Sequence, residues 1–193
     1  MFSDETYDDV GVAQSRFVRR TLDERIRDEH TRTHRAFVQR VLFWGCFSAA
    51  GPGPLINIHG TMKSGNYIQT VQDHMLPHIQ AQYPDGSGIF QQDNAPCHKS
   101  RATMAFFQSN NINILDWPPY SPDLNPIENL WGIIKNKVRR FPLLDRQSVV
   151  AEMLKQWQDV STVTICEKLC WRSRHESAAR WRAAARDRQY GRP

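Results

Sequence analysis

The sequence predicts an α/β domain, because apolar runs typical of strands alternate along the chain with segments of helical periodicity. The run VLFWGCFS (41–48) is continuously apolar, as in a buried strand, whereas apolar residues recur at helical spacing between positions 67 and 79. The chain has 193 residues, of which 40% are hydrophobic. This is enough for one domain with a buried core, and it is too apolar for a wholly disordered chain.

The first half of the chain is predicted to contain two strands and a helix. The apolar run 41–48 is expected to end at a turn made by Gly51–Pro54, and LINIHG (55–60) is expected to form the next strand. A helix is predicted beyond Ser64, which would be its N-cap. Pro77 is expected to weaken or kink this helix near its end.

The second half of the chain continues the alternation. GIFQQ (88–92) is predicted to be a strand, residues 99–109 a helix capped by Ser100, and INIL (112–115) another strand. The segment WPPYSPDLNP (117–126) is predicted to be a loop, since its prolines are excluded from helix interiors and central strands.

Another helix is predicted directly after this loop. Asn125 has the side chain of an N-cap, and Pro126 suits the first helical position. A further helix is predicted over residues 145–158. The apolar face of the first of these helices is predicted to consist of Ile127, Leu130, Trp131, Ile134, Val138 and Phe141.

The net charge of +5 is located entirely in the C-terminal segment. Residues 170–193 contain seven arginines against Glu176 and Asp187, so residues 1–169 are neutral overall. This segment is either an arginine arm for phosphate groups or a solvated chain end, and the charge alone does not decide between them. The charge-rich segment 16–40 has no clean period and predicts no particular structure.

The composition also argues against membrane and secreted classes of protein. The longest apolar run, Val41–Phe47, contains Gly45 and is far shorter than a membrane span. The first five residues are acidic where a signal peptide is basic and then apolar, so export is not expected. The four cysteines are scattered and are expected to be reduced thiols.

Three carboxylates are candidates for chemistry because of their places on the predicted elements. Asp93 closes the strand 88–92 and begins a turn into a helix, and ligand sites in α/β sheets favour strand ends. Glu128 lies in the first turn of the helix after the proline loop, and Asp4 follows Met1–Ser3, interpreted as the remnant of a strand. Converging carboxylates suit magnesium or manganese, and two such ions can assist cleavage of a phosphodiester.

Each acid also has a purely structural explanation. Glu128 could close a capping box on the backbone N–H of Asn125, Asp93 could be a turn or N-cap aspartate, and Asp4 could be an acid near a chain terminus. Periodicity and spacing leave these alternatives open.

The motif FQQDNAPCH and the later motif WPPYSPDLNPIENLW closely resemble the catalytic domain of the mariner-type (Tc/mariner superfamily) DNA transposases, with thirty-four residues between Asp93 and Glu128. VLFWGCFSAAGPGPL is similar to the family's apolar strand and glycine-rich turn, and FSDET is similar to the motif with its first aspartate. The resemblance extends from about Phe2 to about Leu169. A composite pattern of this length is far more specific than a single short motif.

The resemblance implies a ribonuclease-H-like fold, with a mixed central sheet flanked by helices and a first strand that is truncated here. It implies that Asp4, Asp93 and Glu128 are the catalytic, metal-binding triad and hold two Mg²⁺ or Mn²⁺ ions. The implied reaction is cleavage of DNA at the inverted-repeat ends of a transposon, followed by transfer of the freed 3′-hydroxyl to target DNA at TA dinucleotides. The implied partners are DNA and a second copy of the chain in a homodimer, with no membrane, and the implied location is the nucleus.

The resemblance also divides the chain. Residues 1–160 are predicted to form the catalytic domain, and residues 161–193 a C-terminal helix with an arginine-rich tail that lacks the family's usual ending. The family's helix-turn-helix modules have no counterpart in the sequence. The alternative hypothesis is therefore a catalytically dead, truncated remnant that acts at most as a nucleic-acid-binding or interaction protein.

Four basic residues at the end of the Glu128 helix have two explanations. They would hold DNA phosphates beside the acids, or they would complement the dipole of the helix at its C-terminus. They are Lys135, Lys137, Arg139 and Arg140.

The remaining candidates are expected to be structural. Trp117 and Trp131 are expected in the core rather than stacked on DNA. Asp123 is expected to shape its loop. The pairs Cys97–His98 and Cys166/Cys170 do not complete a zinc pattern, and are expected to be buried thiols and a loop histidine.

Overall fold

A computed structural model of the chain describes residues 1–10, 39–141 and 143–173. The segment 16–40, for which the sequence predicts no structure, and the arginine-rich tail beyond residue 173 lie almost entirely outside the described residues. In chain order the elements are β1 (Phe2–Asp9), β2 (Arg40–Ser48), β3 (Gly51–Ile58), α1 (Ser64–Thr70), α2 (Leu76–Gln82), β4 (Ile89–Phe90), α3 (Arg101–Ser109), β5 (Asn113–Ile114), α4 (Pro126–Val138), α5 (Arg146–Val160) and α6 (163–173).

The strands are arranged in the order β3-β2-β1-β4-β5. The first three are antiparallel neighbours, whereas β4 and β5 pair in parallel. The two groups join at β1, where Phe2 forms a parallel bridge with Gln91 and the Ser3 N–H donates to the Gln91 carbonyl over 3.2 Å. The predicted α/β fold with a mixed central sheet is therefore confirmed.

The first strand differs from its prediction. β1 is eight residues long and pairs with β2 from Phe2–Phe47 to Asp9–Arg40, so Asp4 lies within the strand rather than at its end. Four of its eight residues are acidic, which hides any apolar alternation in the sequence. Backbone pairing with the buried strand β2 outweighs this weak local propensity.

The hairpin after β2 is tighter than predicted. β3 begins at Gly51, so the residues expected to form the turn are strand residues, and Pro52 pairs with Phe47. Proline is tolerated there because β3 has a neighbour on one side only among the described strands. A register shift between Gly45 and Phe47 accommodates the entry into the hairpin.

The helix predicted after the hairpin is interrupted before Pro77. α1 and α2 are joined by a π-helical segment, Val71–Met75. In a regular α-helix the ring of Pro77 would collide with the carbonyl of Asp73, and it has no N–H to donate to that carbonyl. A wider π turn relieves both problems, so the expected kink takes the form of a change in helix type. The N-cap is Lys63, one residue before the predicted Ser64.

The remaining elements largely follow their predictions, although β4 and β5 are each only two residues long. Ser100 caps α3 by accepting a hydrogen bond from the Thr103 N–H over 3.2 Å. Asn125 caps α4, which starts at Pro126 and buries the predicted apolar face as far as Val138. Phe141 was expected on that face but lies beyond the end of the helix, with 43% of its surface exposed.

Side chains from β2 alternate between two core layers. Phe43 and Phe47 pack with Trp131 and Trp157 from the α4–α5 layer, whereas Trp44 packs on the other face with the α1 and α3 layer. Because both faces of β2 are covered, its sequence is a continuous apolar run rather than an alternating one. Among the described residues, no helix is long and apolar enough to cross a membrane.

Candidate active site

The three predicted acids are carried by elements that meet at one place in the fold. Asp4 lies on β1, and Asp93 follows β4, the strand linked to β1 through Gln91. α4, which carries Glu128 in its first turn, is tied to β1 by a hydrogen bond of 3.1 Å from Asn125 Nδ2 to the Ser3 carbonyl. The three acids therefore lie near enough to one another for the charges of Glu128 and Asp93 to act on Asp4.

Asp4 has the least favourable electrostatic environment of the three. Burial raises the pKa of its carboxyl group to about 8, and the negative charges of Glu128, Glu5 and Asp93 act in the same direction. A buried carboxyl group among other acids is stabilised in its charged form when a cation binds beside it. Asp4 is therefore a half-buried carboxyl group among other acids rather than an acid at a solvated chain terminus.

Asp93 is held by the turn that follows it. Its Oδ1 atom accepts hydrogen bonds from the Ala95 N–H over 2.8 Å and from His98 Nδ1 over 2.6 Å. The hydrogen bond from His98 lowers the pKa of Asp93, which is therefore ionised at neutral pH. Because both hydrogen bonds use Oδ1, Oδ2 remains available for a ligand.

His98 links Asp93 to a fourth acid, Glu5. Its Nε2 atom lies 3.2 Å from Glu5 Oε1, and its side chain is almost fully buried. Burial alone would lower the pKa of His98, but the hydrogen bonds to Asp93 and Glu5 raise it to about 10. A doubly protonated imidazolium donates to both carboxylates, so His98 neutralises part of the negative charge of the site.

The position of His98 is fixed by the α1 layer. Its ring stacks on Tyr67 with centroids 4.0 Å apart. The Tyr67 hydroxyl donates to Gln92 Oε1 over 2.6 Å, and Gln92 Nε2 donates to the His98 carbonyl over 3.4 Å. These buried contacts leave the imidazole little rotational freedom. His98 lies in a loop as expected, but its side chain is buried and hydrogen-bonded on both ring nitrogens.

Glu128 is an exposed residue of the first turn of α4. The capping-box alternative requires its side chain to accept from the Asn125 N–H, but that N–H donates to the Pro122 carbonyl over 2.9 Å. Asn125 itself supplies the cap, accepting from the Ile127 N–H. The side chain of Glu128 is thus not engaged in the cap, and its charge acts on Asp4.

α4 can approach β1 closely because the residue opposite Asp4 is a glycine. Gly45 pairs with Asp4 across the β1–β2 ladder. A Cβ atom at Gly45 would lie 2.8 Å from the ring of Trp131 on α4, closer than real contacts allow. The absence of a side chain at this position therefore sets the distance between Asp4 and the helix that carries Glu128.

The basic end of α4 lies beside β1 and is not a uniform cationic patch. The positive charges of Lys135 and Arg139 act on Asp8, a buried residue of β1 whose pKa is raised chiefly by burial. Burial lowers the pKa of Lys135, which is half-buried, whereas Arg139 and Arg140 are exposed. Lys137 is half-buried as well. This arrangement brings Lys135 near Asp4 and Glu128, and Arg139 near Asp8.

The other candidates have structural positions. Trp117 and Trp131 are buried, and Trp131 packs against Trp157 with ring centroids 5.1 Å apart. Asp123 lies in a 3₁₀ turn of the proline loop. Cys166 is fully buried, so the expectation of a structural thiol is confirmed there.

The donor set fits a hard divalent cation. Asp4, Asp93 and Glu128 offer carboxylate oxygens only, which suit magnesium and manganese better than zinc. Within the described part of the chain, no three His, Cys, Asp or Glu side chains are arranged so that they could hold a metal ion. The coordination of an ion would therefore be completed by movement of these side chains as it binds.

Sequence reasoning missed the Glu5–His98 pair and its Tyr67 support. The signal for Glu5 is the pair of adjacent acids in FSDET: neighbouring strand residues face opposite sides, so Asp4 faces α4 and Glu5 faces the α1 layer. The sequence indicates the role of His98 more weakly. Only its position five residues after Asp93, in the turn that follows, allows its ring to contact the Asp93 carboxylate.

The sequence matches a family model described as DDE superfamily endonuclease over residues 1–150. The Tcb1 transposase of Caenorhabditis briggsae is 34% identical over 125 residues, which cover 65% of this chain and 45% of that protein. The Tc3 transposase of Caenorhabditis elegans is 43% identical over 94 residues, which cover 49% of this chain and 28% of that protein. The chain thus spans less than half the length of these relatives.

Solved structures of the Mos1 transposase share the fold. A paired-end complex with the left transposon end superimposes with a TM-score of 0.74 at 20% identity, covering 93% of this chain and 52% of that one. The catalytic domain of the Mos1 mariner transposase gives a TM-score of 0.61 at 22% identity, and the match covers 75% of this chain and 72% of that one. At these identities the likeness shows the fold, and it confirms the ribonuclease-H-like arrangement expected from the sequence.

Proposed function

The chain belongs to the DDE superfamily endonucleases, and from that premise we propose that it is the catalytic part of a Tc/mariner-type transposase. In this proposal it cleaves DNA at the ends of a transposon and joins those ends to target DNA at TA dinucleotides. The observation that carries the proposal is the proximity of Asp4, Asp93 and Glu128: Asp4 is half-buried, and burial and the charges of its acidic neighbours raise its pKa.

Each acid has a distinct part in the proposed site. Asp93 is ionised and oriented by His98, and its Oδ2 atom is free to bind. Asp4 is half-buried and supplies a carboxylate from the sheet, whereas Glu128 is exposed and can adjust from the first turn of α4. The proposed site thus combines a carboxylate carried by the sheet, a carboxylate oriented by a hydrogen bond from His98, and a carboxylate on an exposed side chain that can move.

These carboxylates would hold two divalent ions, either magnesium or manganese, as the family resemblance implies. When bound, such ions activate a nucleophile and stabilise the leaving oxygen of a phosphodiester. What supports the metal is the donor chemistry of the three acids. The Mos1 mariner transposase, which shares the fold, has been solved as a paired-end complex with Mn.

The DNA backbone would pass along the basic end of α4. Arg139 and Arg140 are exposed, and Lys135 lies close enough to the acids for their charges to act on it. Together with Lys137 these side chains are proposed to contact phosphates, which positions DNA without reading its sequence. Their contribution is expected to weaken as the salt concentration rises.

The proposal extends to assembly and location. The Mos1 complex that the fold resembles is a paired-end complex, and we propose that this chain also acts as a homodimer, which sedimentation equilibrium of the purified protein would test. A protein that acts on chromosomal transposons would work in the nucleus, which imaging of the tagged chain would test.

The test of catalysis is metal-dependent nicking. The purified chain is incubated with supercoiled plasmid and Mn²⁺ or Mg²⁺, and nicking is expected to disappear on chelation and in Asp93→Asn and Glu128→Gln. Asp73→Asn, which changes an exposed acid of the π-helical segment, is the matched control and should retain activity. Nicking that survives in both site variants would refute the triad, and a wild-type chain without nicking would favour the inactive-remnant alternative.

A further inference from the structure

Tyr120 is the most exposed large hydrophobic residue among those the structure describes. Its side chain is fully exposed, and its backbone has a φ of 53°. A left-handed backbone is unfavourable for an aromatic residue and is more often occupied by glycine or asparagine. The protein thus keeps at this position both a strained backbone and an apolar ring in water, and neither is explained by packing within the described chain.

The loop around Tyr120 is built to be rigid. Pro118, Pro119 and Pro122 restrict the backbone on either side of it, and the Ser121 hydroxyl donates to the Pro119 carbonyl over 3.0 Å. A 3₁₀ turn, Pro122–Leu124, then leads to α4. The ring of Tyr120 is therefore presented from a stiff support.

The loop is fastened to both halves of the acid site. Asn94, next to Asp93, donates through Nδ2 to the Trp117 carbonyl over 2.8 Å. At the other end, Asn125 caps α4 and donates to the Ser3 carbonyl. Tyr120 lies three positions after Trp117 along the chain, so its Cα lies at most about 11 Å from the Cα of Trp117. The loop that carries the ring thus connects the turn that holds Asp93 to the helix that holds Glu128.

We propose that the ring of Tyr120 stacks on an unpaired DNA base beside the phosphodiester that is cut. This inference rests on the proposed function, because it requires DNA at the acid site. A flat, uncharged ring in water matches the face of a nucleobase, and stacking tolerates any base because each has a π-face. The basic residues of α4 suit phosphates instead, so the two features would contact different parts of the DNA.

The test uses a DNA duplex with a single unpaired 2-aminopurine, whose fluorescence is quenched by stacking. The full chain is titrated into this probe without divalent metal, and binding is followed in parallel by anisotropy. Tyr120→Asn is the informative variant, because asparagine accepts the left-handed backbone and preserves the loop while removing the ring. Tyr120→Phe keeps the ring without the hydroxyl, and Leu144→Ala removes another exposed apolar side chain as a matched control.

We expect wild type, Tyr120→Phe and Leu144→Ala to quench the probe, and Tyr120→Asn to lose the quenching and bind roughly 5- to 150-fold more weakly. Equal quenching by Tyr120→Asn, or no quenching by the wild type when anisotropy reports binding, would overturn the proposal. Loss in Tyr120→Phe as well would assign the contact to the hydroxyl and overturn stacking. Plasmid nicking, measured separately, reports on the proposed function: stacking without nicking would mean that the catalytic proposal has failed while this one holds.

Discussion

The Nδ1 atom of His98 lies 2.6 Å from the Oδ1 atom of Asp93, and the opposite ring nitrogen contacts Glu5. The imidazole thus joins a predicted metal ligand to an acid on the other face of the sheet. Removing a residue that hydrogen-bonds to a metal-ligating side chain typically lowers metal affinity or activity by about 10- to 100-fold. The first prediction concerns this contact.

Replacing His98 by alanine is expected to raise the Mn²⁺ concentration for half-maximal nicking by about 10- to 100-fold, because Asp93 loses the donor that fixes Oδ1. His98→Asn places an amide donor near the position of Nδ1 and should recover part of the loss. A manganese titration of plasmid nicking measures both variants. His59→Ala, at an exposed histidine, is the control. An unchanged Mn²⁺ midpoint in His98→Ala would show that Asp93 does not depend on this contact.

Gly45→Ala is expected to destabilise the fold by about 1–3 kcal/mol, as overpacking commonly does. The added methyl group would lie 2.8 Å from the ring of Trp131 and push α4 away from β1. Urea denaturation measures the effect, and nicking should fall because Glu128 moves with the helix. Gly132→Ala is the matched control, since a Cβ there meets nothing within 4 Å and alanine favours the helix by about 0.5–1 kcal/mol. Equal stability of wild type and Gly45→Ala would mean that the ring of Trp131 moves aside without a loss of folding free energy.

The sequence allowed the acid positions to be predicted but not their surroundings. Asp93 and Glu128 were identifiable because a strand end, a proline loop and an N-cap are local features, and the family resemblance joined them. Glu5 and His98 were not identifiable, because their contact spans 93 residues and depends on how β1 aligns with the turn after β4. Local patterns do not encode the register between distant segments.

The strands show the same limit. β2 was predicted almost to the residue because a strand covered on both faces is apolar throughout. β1 was misjudged because its acidic residues give no apolar alternation, and only its pairing with β2 makes it a strand. β3 was judged to start too late because its glycines and prolines resemble a turn, which an outer strand tolerates.

The thiols are expected to differ in reactivity. Burial raises the pKa of Cys46 to about 12 and that of Cys166 to about 11, so both remain protonated at pH 8, and neither reaches solvent. Brief treatment with iodoacetamide at pH 8, followed by peptide mass spectrometry, should label Cys97 and Cys170 far more than these two. In urea all four should react alike. Rapid labelling of native Cys46 would contradict the buried position of β2.

Asn125→Ala tests whether the start of α4 is both a cap and a tether. Losing an N-cap costs about 1 kcal/mol, and here the hydrogen bond to the Ser3 carbonyl is lost as well. Asp145→Ala is the matched control, because Asp145 caps α5 by accepting from the Ser148 N–H over 2.8 Å but makes no contact with β1 in the described structure. Both variants should unfold at lower urea concentration, measured by circular dichroism. Only Asn125→Ala should lose nicking activity at concentrations where both are folded, because only that change releases the start of α4, which carries Glu128, from β1. Equal activity of the two variants would mean that the tether to Ser3 does not position the helix.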